Sequence, residues 1–390
     1  MLRLPYLAAI AGIFISLHIS AERIPNLIHL KGLVFTASAI IIFMPLIKAT
    51  YQKFSKIDQQ LLIKHALLTL VATIIISWFV HPSLIPASNG AHYARMTINP
   101  FAEEFGLFYR RLLLPTIAHV LMMRGPILYG IFSWLLTYCL IFLVLMALPQ
   151  WPRIWQQILV LVSVGTSSFI ILDYQVTGYT DHFVYILLLL MTMLDRKELI
   201  PRLSCLILGL ATHDYMIFAA LPLIVIDSDW REKIYGLGII GFHALIWTIT
   251  NYGIYNIYHN HLAVGGVMGT EWFDNSPLLG ILGAFMGFKL LWAIILVAIM
   301  VSIYERKWHH AILVASVSLF PLCLVYISSD ANRGAGVGFL GLLMAITSLY
   351  GRKWLLYVFA INLLVPSFGV CLHAGGIDVF DGIYWLMRYL

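Results

Sequence analysis

The 390 residues of this chain are 61% hydrophobic and only 11% charged, a balance that excludes an ordinary soluble globular domain. The net charge is +6, but the basic residues are dispersed over short connections between apolar runs, which excludes a concentrated nucleic-acid-binding surface. The four cysteines show no CxxC spacing, so the sequence predicts neither a disulfide framework nor a zinc site.

Apolar runs of membrane-spanning length recur along nearly the whole chain. A helix needs about 20 apolar residues to cross a bilayer. Spans are predicted at about 4–20, 30–48, 62–80, 126–148, 156–172, 183–194, 203–226, 234–257, 278–303, 309–327, 334–350 and 354–372. The sequence therefore predicts an all-α, polytopic membrane protein with about 11–13 transmembrane or re-entrant helices.

Short basic connections, such as 195–202 and 304–310, alternate with connections that carry most of the acidic residues. The positive-inside rule places the basic connections, and with them the N-terminus, in the cytoplasm. A site that handles charge is therefore expected on the extracytoplasmic face.

The longest polar connection in the first half of the chain is the external segment 81–125. Its part 107–123 is amphipathic, contains Arg110 and Arg111, and is interrupted by Pro115. These features predict a helix that lies at the membrane interface and is broken at the proline.

The next external connection, 173–182, is short and places Asp173 and Asp181 at helix ends. Carboxylates at a membrane surface can serve as a general base, a metal ligand or an acceptor for sugar hydroxyl groups. The alternative is that both are ordinary solvated loop charges.

His213 and Asp214 lie in the middle of the apolar run 203–226. Ionisable residues at membrane depth are costly, so we expect the helix to break there and the chain to return to the cytoplasmic side. The pair has two open interpretations: direct participation in catalysis, or capping of the second half-helix by Asp214.

Arg333 follows Asp330 by three residues in the external segment 328–334. The planar guanidinium donors of arginine suit phosphate or pyrophosphate oxygens, which predicts anion binding. A salt bridge or an interface anchor is the alternative. Lys289, within the span 278–303, could snorkel to the interface or line a cavity.

The order of four segments resembles that of bacterial integral-membrane glycosyltransferases of the GT-C superfamily. These segments are NGAHYARMTINPF, YRRLLLP, DYQVTGYTDHFVYILLL and LILGLATHDYMIFAALPLIVI. The resemblance implies a GT-C-like transmembrane module over 62–257, two extra N-terminal helices in 1–61 and a variable C-terminal half in 258–390. It also implies transfer of a sugar from a polyprenyl-phosphate carrier outside the membrane, with the SSDANRG segment resembling a late Asp-x-x-Arg element.

The chain departs from the family where an acidic residue is expected early in the first loop. The family has this acidic residue shortly before a tyrosine, which is Tyr93 here, and the residue in its place is Asn89 or His92. The catalytic base is therefore expected among four other carboxylates: Glu104, Glu103, Asp181 and Asp173. Substrate or phosphate binding is expected from Arg110, Arg111, Arg333, Asp330, His92, Tyr93, His213 and Asp214.

The expected function is thus transfer of a sugar from a polyprenyl-phosphate donor to an extracytoplasmic glycan or lipid acceptor, in a multi-pass protein of the bacterial inner membrane. The expected partners are the lipid bilayer, the polyprenyl-phosphate lipid and the acceptor, and not nucleic acid. The cofactor is left unknown, with a divalent cation as one option.

The alternative functions are a polysaccharide polymerase or ligase that uses undecaprenyl-linked substrates, and a transporter or flippase. The interrupted span 203–226 favours a transporter, whereas the absence of a matching interruption in the other half of the sequence argues against it.

Overall fold

Helices form nearly all of the regular structure of this protein. The computed structural model describes residues 3–18, 25–80, 83–86, 89–101, 111–175, 177–246, 277–327, 331–371 and 376–379. Several residues predicted to be functional lie outside this part of the chain, namely Glu103, Glu104, Arg110 and Asp330. The side chain of Asp173 is also outside it, although the backbone of that residue is helical.

The described helices are α1 (Leu4–His18), α2 (Pro25–Phe54), α3 (Gln59–Val80), α4 (Asn89–Met96), α5 (Leu113–Val120), α6 (Gly125–Ala147), α7 (Ile154–Gly165), α8 (Ser168–Gln175), α9 (Asp181–Met193), α10 (Leu199–Thr212), α11 (Tyr215–Pro222), α12 (230–246), α13 (Pro277–Phe288), α14 (Trp292–Tyr304), α15 (Trp308–Leu319), α16 (Cys323–Ile327), α17 (Ala331–Gly336), α18 (Phe339–Ser348) and α19 (Trp354–Leu364). A π-helical turn, Leu223–Asp227, continues α11. Two strands, β1 (Phe368–Cys371) and β2 (Gly376–Val379), pair antiparallel with Phe368 opposite Val379. The sequence did not predict this small hairpin.

Five helical stretches in the described part of the chain are long and apolar enough to cross a membrane. They are Ile28–Phe54, Gln59–Phe79, Gly125–Ala147, Gly280–Tyr304 and Trp308–Val325. Shorter apolar helices of 10–17 residues accompany them. The prediction of a helical, multi-pass membrane protein is confirmed at this level, whereas the full number of spans and the three-part division of the chain stay predictions.

Several predicted spans are not continuous helices in the structure, among them 156–172 and 334–350. The run 156–172 divides into α7 and α8, which are separated by Thr166 and Ser167. Thr166 Oγ1 donates a hydrogen bond to the carbonyl oxygen of Ser163 at 2.8 Å, so the hydroxyl satisfies a backbone group near the end of α7. The run 334–350 is interrupted between α17 and α18, where Gly338 precedes the second helix.

Pro115 does not break the helix predicted around it. It is the third residue of α5, and the first turn of a helix has no intrahelical partners for its N–H groups. The helix instead begins at Leu113, and the backbone N–H of Thr116 donates to the carbonyl oxygen of Leu112 at 2.9 Å. The expected break at this proline is therefore wrong.

The chain divides into two compact units. The first takes its described residues from Met1–Ile57, Leu84–Ser133 and Gly178–Gly269. Within it, α10 packs against α1, α2, α5, α9 and α11. Every residue of α10 from Arg202 to Thr212 is buried, as expected for a helix that is surrounded by other helices.

The second unit takes its described residues from Asp58–Ser83, Trp134–Thr177 and Thr270–Leu390. Here α18 packs against α14 and α15, and α17 packs against α13. The rings of Phe169 and Phe339 stack with their centroids 4.7 Å apart. A Cβ atom at Gly338 would lie 2.7 Å from the carbonyl oxygen of Ser318, so the absence of a side chain lets these backbones approach.

Candidate functional site at the break between α10 and α11

The chain breaks its helix at the predicted position, His213–Asp214. Helix α10 ends at Thr212, α11 begins at Tyr215, and His213 between them is extended, with φ −164° and ψ 141°. The Nδ1 atom of His213 accepts a hydrogen bond from the backbone N–H of Tyr215 at 3.1 Å. His213 therefore caps the second half-helix.

Asp214 does not make the cap that the sequence analysis offered as one interpretation. Its side chain forms no capping hydrogen bond to α11. Its Oδ1 atom instead lies 3.6 Å from Nε2 of His243, a residue of α12. Asp214 is 49% exposed and His243 only 5% exposed, so this pair has one accessible and one enclosed member.

Arg111, His213 and His243 all act electrostatically on the Asp214 carboxylate. The surrounding protein also partly desolvates this group, even though half of its side-chain surface stays accessible. The Asp214 carboxylate is thus surrounded by protein while part of its side chain stays accessible.

A second acid–histidine contact lies beside the first. Oδ1 of Asp181 is 3.9 Å from Nε2 of His213, and both side chains are buried, at 5% and 1% exposed. Because Nδ1 of His213 accepts the Tyr215 N–H, the neutral ring carries its proton on Nε2, which faces Asp181. The Asp181 carboxylate thus fixes the orientation of the imidazole.

A tight turn before α9 places Asp181 at the start of that helix. Gly178 has φ +95°, a conformation that favours glycine. Its N–H donates to Ser133 Oγ at 3.0 Å, and its carbonyl accepts the Tyr129 hydroxyl at 3.1 Å. The turn is therefore anchored to α6, and Asp181 lies in the first turn of α9, where a negative charge is favoured.

Arg111, in the segment 81–125, belongs to the cluster of charged and titratable groups around Asp214. Its Nη1 donates to the hydroxyl oxygen of Tyr93 at 2.9 Å, and Tyr93 is fully buried in α4. The guanidinium group is half-buried and acts on Asp214 from just before α5. Two predicted binding residues of segment 81–125 are therefore brought to the predicted helix break.

His92 pairs with its neighbour on α4. Nη2 of Arg95 lies 2.8 Å from His92 Nδ1, and since arginine only donates, the imidazole nitrogen accepts. Partial burial and the Arg95 charge lower the pKa of His92 below its ordinary value. A neutral His92 does not supply the positive charge that phosphate binding would use.

His243 is the member of this cluster that the sequence analysis missed. It lies in the apolar segment GIIGFHALIW, and the Phe14 ring is 5.0 Å from its own, centroid to centroid. The same signal that identified His213, an ionisable residue within a predicted span, was present for His243.

In the second unit, the predicted phosphate ligand Arg333 is 6% exposed and lies in the short helix α17. Lys289 of the same unit does not snorkel, contrary to one expectation, because it is 1% exposed. Its Nζ donates to the carbonyl oxygen of Val365 at 2.9 Å and to Ser367 Oγ at 3.1 Å.

Lys289 also marks a helix interruption that the sequence analysis did not find. It has φ +52° and begins a 3₁₀ turn, Lys289–Leu291, between α13 and α14. The N–H of Leu290 donates to Asn362 Oδ1 at 3.0 Å, so a side chain satisfies the interrupted backbone. The expectation that the second half of the chain lacks a matching broken helix is wrong.

Among the described residues, no three His, Cys, Asp or Glu side chains are grouped so that they could hold a metal ion. No protein-family model, curated protein or solved structure matches this chain. The functional argument therefore rests on the residues and their geometry.

Proposed function

We propose that this protein is a membrane glycosyltransferase that moves a sugar from a polyprenyl-phosphate donor to an extracytoplasmic glycan or lipid acceptor. The observation that carries the proposal is the cluster at the α10–α11 break. It combines two carboxylates, Asp181 and Asp214, with the Arg111 guanidinium group in a protein built from apolar helices.

The two kinds of charge suit the two halves of the reaction. A carboxylate accepts the proton of the acceptor hydroxyl group while the acceptor oxygen attacks the anomeric carbon. The bond between that carbon and the phosphate oxygen breaks, and the phosphate leaves with the electron pair. The planar donors of Arg111 match the phosphate oxygens and stabilise their growing charge.

The membrane setting supports a lipid-linked donor. A polyprenyl chain is soluble only in the bilayer, so an enzyme that uses it needs apolar helices around a charged site, and this chain has both. The charge distribution of the connections supports an extracytoplasmic site in a bacterial inner membrane, with the N-terminus in the cytoplasm.

The test is transfer by the purified protein in lipid nanodiscs, with radiolabelled polyprenyl-phosphate sugars as donors and a cell-envelope lipid and glycan extract as acceptor. We expect a labelled product and a loss of about 100-fold or more in the rate for Arg111→Gln. Arg124→Gln is the matched control, because Arg124 belongs to the same connection and its Nε donates only to the His119 carbonyl group in the described contacts. No labelled product from any donor, with intact wild-type protein, contradicts the proposal.

A transporter or flippase is the second candidate, and the Lys289 interruption favours it. Broken helices with ionisable residues often form the binding sites of transporters, and each unit of this chain contains one. Movement of a fluorescent polyprenyl-phosphate lipid across liposome membranes, without formation of a product, would support this candidate. A polymerase or ligase would depend on Arg111 more than on either carboxylate, so activity that is lost in Arg111→Gln but retained in Asp181→Asn and Asp214→Asn would favour it.

A further inference from the structure

We infer that Asp214, held by His243, is the carboxylate that accepts the proton from the acceptor hydroxyl group, and that Asp181 serves the site through His213. This inference rests on the glycosyl transfer proposed above. It changes the expected base, which the sequence analysis placed at Glu104, Glu103, Asp181 or Asp173.

The two carboxylates described at the break, Asp181 and Asp214, differ in how accessible they are to an acceptor hydroxyl group. A general base must come within about 2.6–3.2 Å of the oxygen whose proton it takes. The side chain of Asp181 is 5% exposed, and it faces the enclosed His213 ring. The side chain of Asp214 is 49% exposed, so a hydroxyl group can reach it without rearrangement of the helices.

The side chain of Asp214 also does not stabilise the break between α10 and α11 by capping. The N–H groups of Met216 and Ile217, which a side chain at this position would normally cap, donate to the carbonyl oxygens of His213 and Asp214, and His213 Nδ1 accepts from the N–H of Tyr215. The carboxylate of Asp214 thus stands at the start of α11 without a capping hydrogen bond. A structural role at the break is assigned to His213, and Asp214 is left for a different one.

His243 positions this carboxylate. Its ring is 5% exposed and packs against Phe14, so it has little freedom to turn. Its Nε2 lies 3.6 Å from Asp214 Oδ1, and in either protonation state with a proton on Nε2 it favours the ionised carboxylate. The charged and titratable groups that act on Asp214 come from three places: Arg111 before α5, His213 at the α10–α11 junction and His243 on α12.

Asp181 is a positioning residue by the same geometry. Its carboxylate faces the protonated Nε2 of His213, which leaves Nδ1 to accept the Tyr215 N–H. Asp181 therefore keeps the histidine in the tautomer that caps α11, and α11 carries the backbone on which Asp214 stands. Loss of Asp181 disturbs the site without removing the base.

In the resulting step, the Asp214 carboxylate takes the proton of the acceptor hydroxyl group as the new bond to the anomeric carbon forms. The electron pair of the broken carbon–oxygen bond leaves with the phosphate, beside Arg111. The carboxyl group then returns its proton to water. No oxidant, reductant or further reactant is needed.

The experiment measures transfer by four variants: Asp214→Asn, Asp214→Glu, Asp181→Asn and His243→Asn. The control is Asp58→Asn, because Asp58 is exposed and belongs to a connection that the charge pattern predicts to be cytoplasmic. We expect Asp214→Asn to lower kcat by about 100-fold or more with a nearly unchanged KM for the donor, and Asp214→Glu to restore part of the rate. Asp181→Asn should lower kcat by a smaller factor, and Asp58→Asn should leave kcat unchanged. His243→Asn should move the acidic limb of the kcat/KM profile to higher pH, because the carboxylate loses a group that favours its ionised form.

Access is measured independently of transfer by reaction of Asp214→Cys and Asp181→Cys variants with a water-soluble maleimide and peptide mass spectrometry of the two positions, with wild-type size-exclusion profiles required of every variant. We expect position 214 to be modified and position 181 to be protected. Transfer by the wild type that persists in Asp214→Asn, or labelling of position 181 and not of position 214, overturns the inference alone. Absence of transfer by the wild type overturns the proposed function and the assignment of the base with it.

Discussion

The buried ion pair between Arg202 and Glu232 allows the effect of one substitution on stability to be worked out from the structure. Nε of Arg202 donates to both carboxylate oxygens of Glu232, at 2.9 and 3.0 Å, and Nη1 donates to the carbonyl oxygen of Met191 at 2.7 Å. The two side chains are 4% and 0% exposed. In Glu232→Gln, a buried guanidinium group therefore keeps its charge and loses its counter-charge.

The expected cost of Glu232→Gln is about 3–5 kcal/mol in the free energy of unfolding, the usual effect of removing one partner of a buried pair. The shared hydrogen bond from the single Nε–H to the charged carboxylate accounts for about 1.5–3 kcal/mol of this cost. The change corresponds to about a hundredfold or more in the unfolding equilibrium. It is measured by titration of the detergent-solubilised protein with SDS, followed by circular dichroism.

Glu305→Gln is the matched control, because the same substitution is made in an exposed pair. Lys307 Nζ lies 2.7 Å from Glu305 Oε2, with 66% and 40% of the two side chains exposed, and we expect no measurable change. The double variant Arg202→Met/Glu232→Leu should recover most of the loss, since apolar groups of similar volume avoid the desolvation cost. The reasoning is refuted if Glu232→Gln is as mild as Glu305→Gln, or if the double variant is no more stable than the single one.

Three further outcomes are expected. Gly130→Ala should destabilise the protein by about 1–3 kcal/mol in SDS titration, because its Cβ would collide with a backbone carbonyl oxygen, whereas Gly238→Ala, with open space around it, should be neutral or stabilising. Lys289→Met should cost about 1–3 kcal/mol in the same assay, since buried oxygen acceptors lose their donor; an unchanged midpoint would contradict the hydrogen bonds of this lysine. By NMR, His92 should titrate below the ordinary value of about 6.5, because protonation removes the acceptor for Arg95, and Arg95→Gln should raise its pKa; a midpoint at or above that value would argue against the pairing.

The helical class and the break at His213–Asp214 could be predicted from the sequence because both depend on the cost of polarity in an apolar medium. An ionisable pair within a long apolar run is too costly to leave in a continuous lipid-facing helix. The structure shows the break at that pair, between Thr212 and Tyr215. The same argument applied to His243 would have added the missing member of the cluster.

The interruption at Thr166 and Ser167 was not visible in the hydropathy of the chain. Thr166 and Ser167 are small neutral residues, and they change the mean hydropathy of the run 156–172 very little. They nevertheless allow the helix to end, since a hydroxyl group such as Thr166 Oγ1 satisfies a nearby carbonyl oxygen. Neutral side chains can therefore interrupt a span without the charge that would reveal the interruption.

Long-range pairing was not predictable either. Arg202 belongs to a connection that the sequence analysis assigned to the cytoplasmic surface, yet it is 3% exposed and pairs with Glu232, thirty positions away. Which two charges meet depends on how α10 and α12 pack, and a single sequence does not specify that. A charge near the end of a span can be a topology signal or half of a buried pair, and only its partner distinguishes these roles.

Variants of the side chains at the two breaks differ in whether they can separate a chemical role from a structural one. His213 accepts a hydrogen bond from the first N–H of α11, and Lys289 itself has the positive φ of its break, so changing either residue alters the break. Asp214 lies at the same break as His213 but forms no capping hydrogen bond. A loss of activity in Asp214→Asn with an unchanged fold would therefore report on chemistry, whereas the same loss in a His213 variant would not separate chemistry from the integrity of α11. This difference makes Asp214 the residue on which the proposed reaction is best judged.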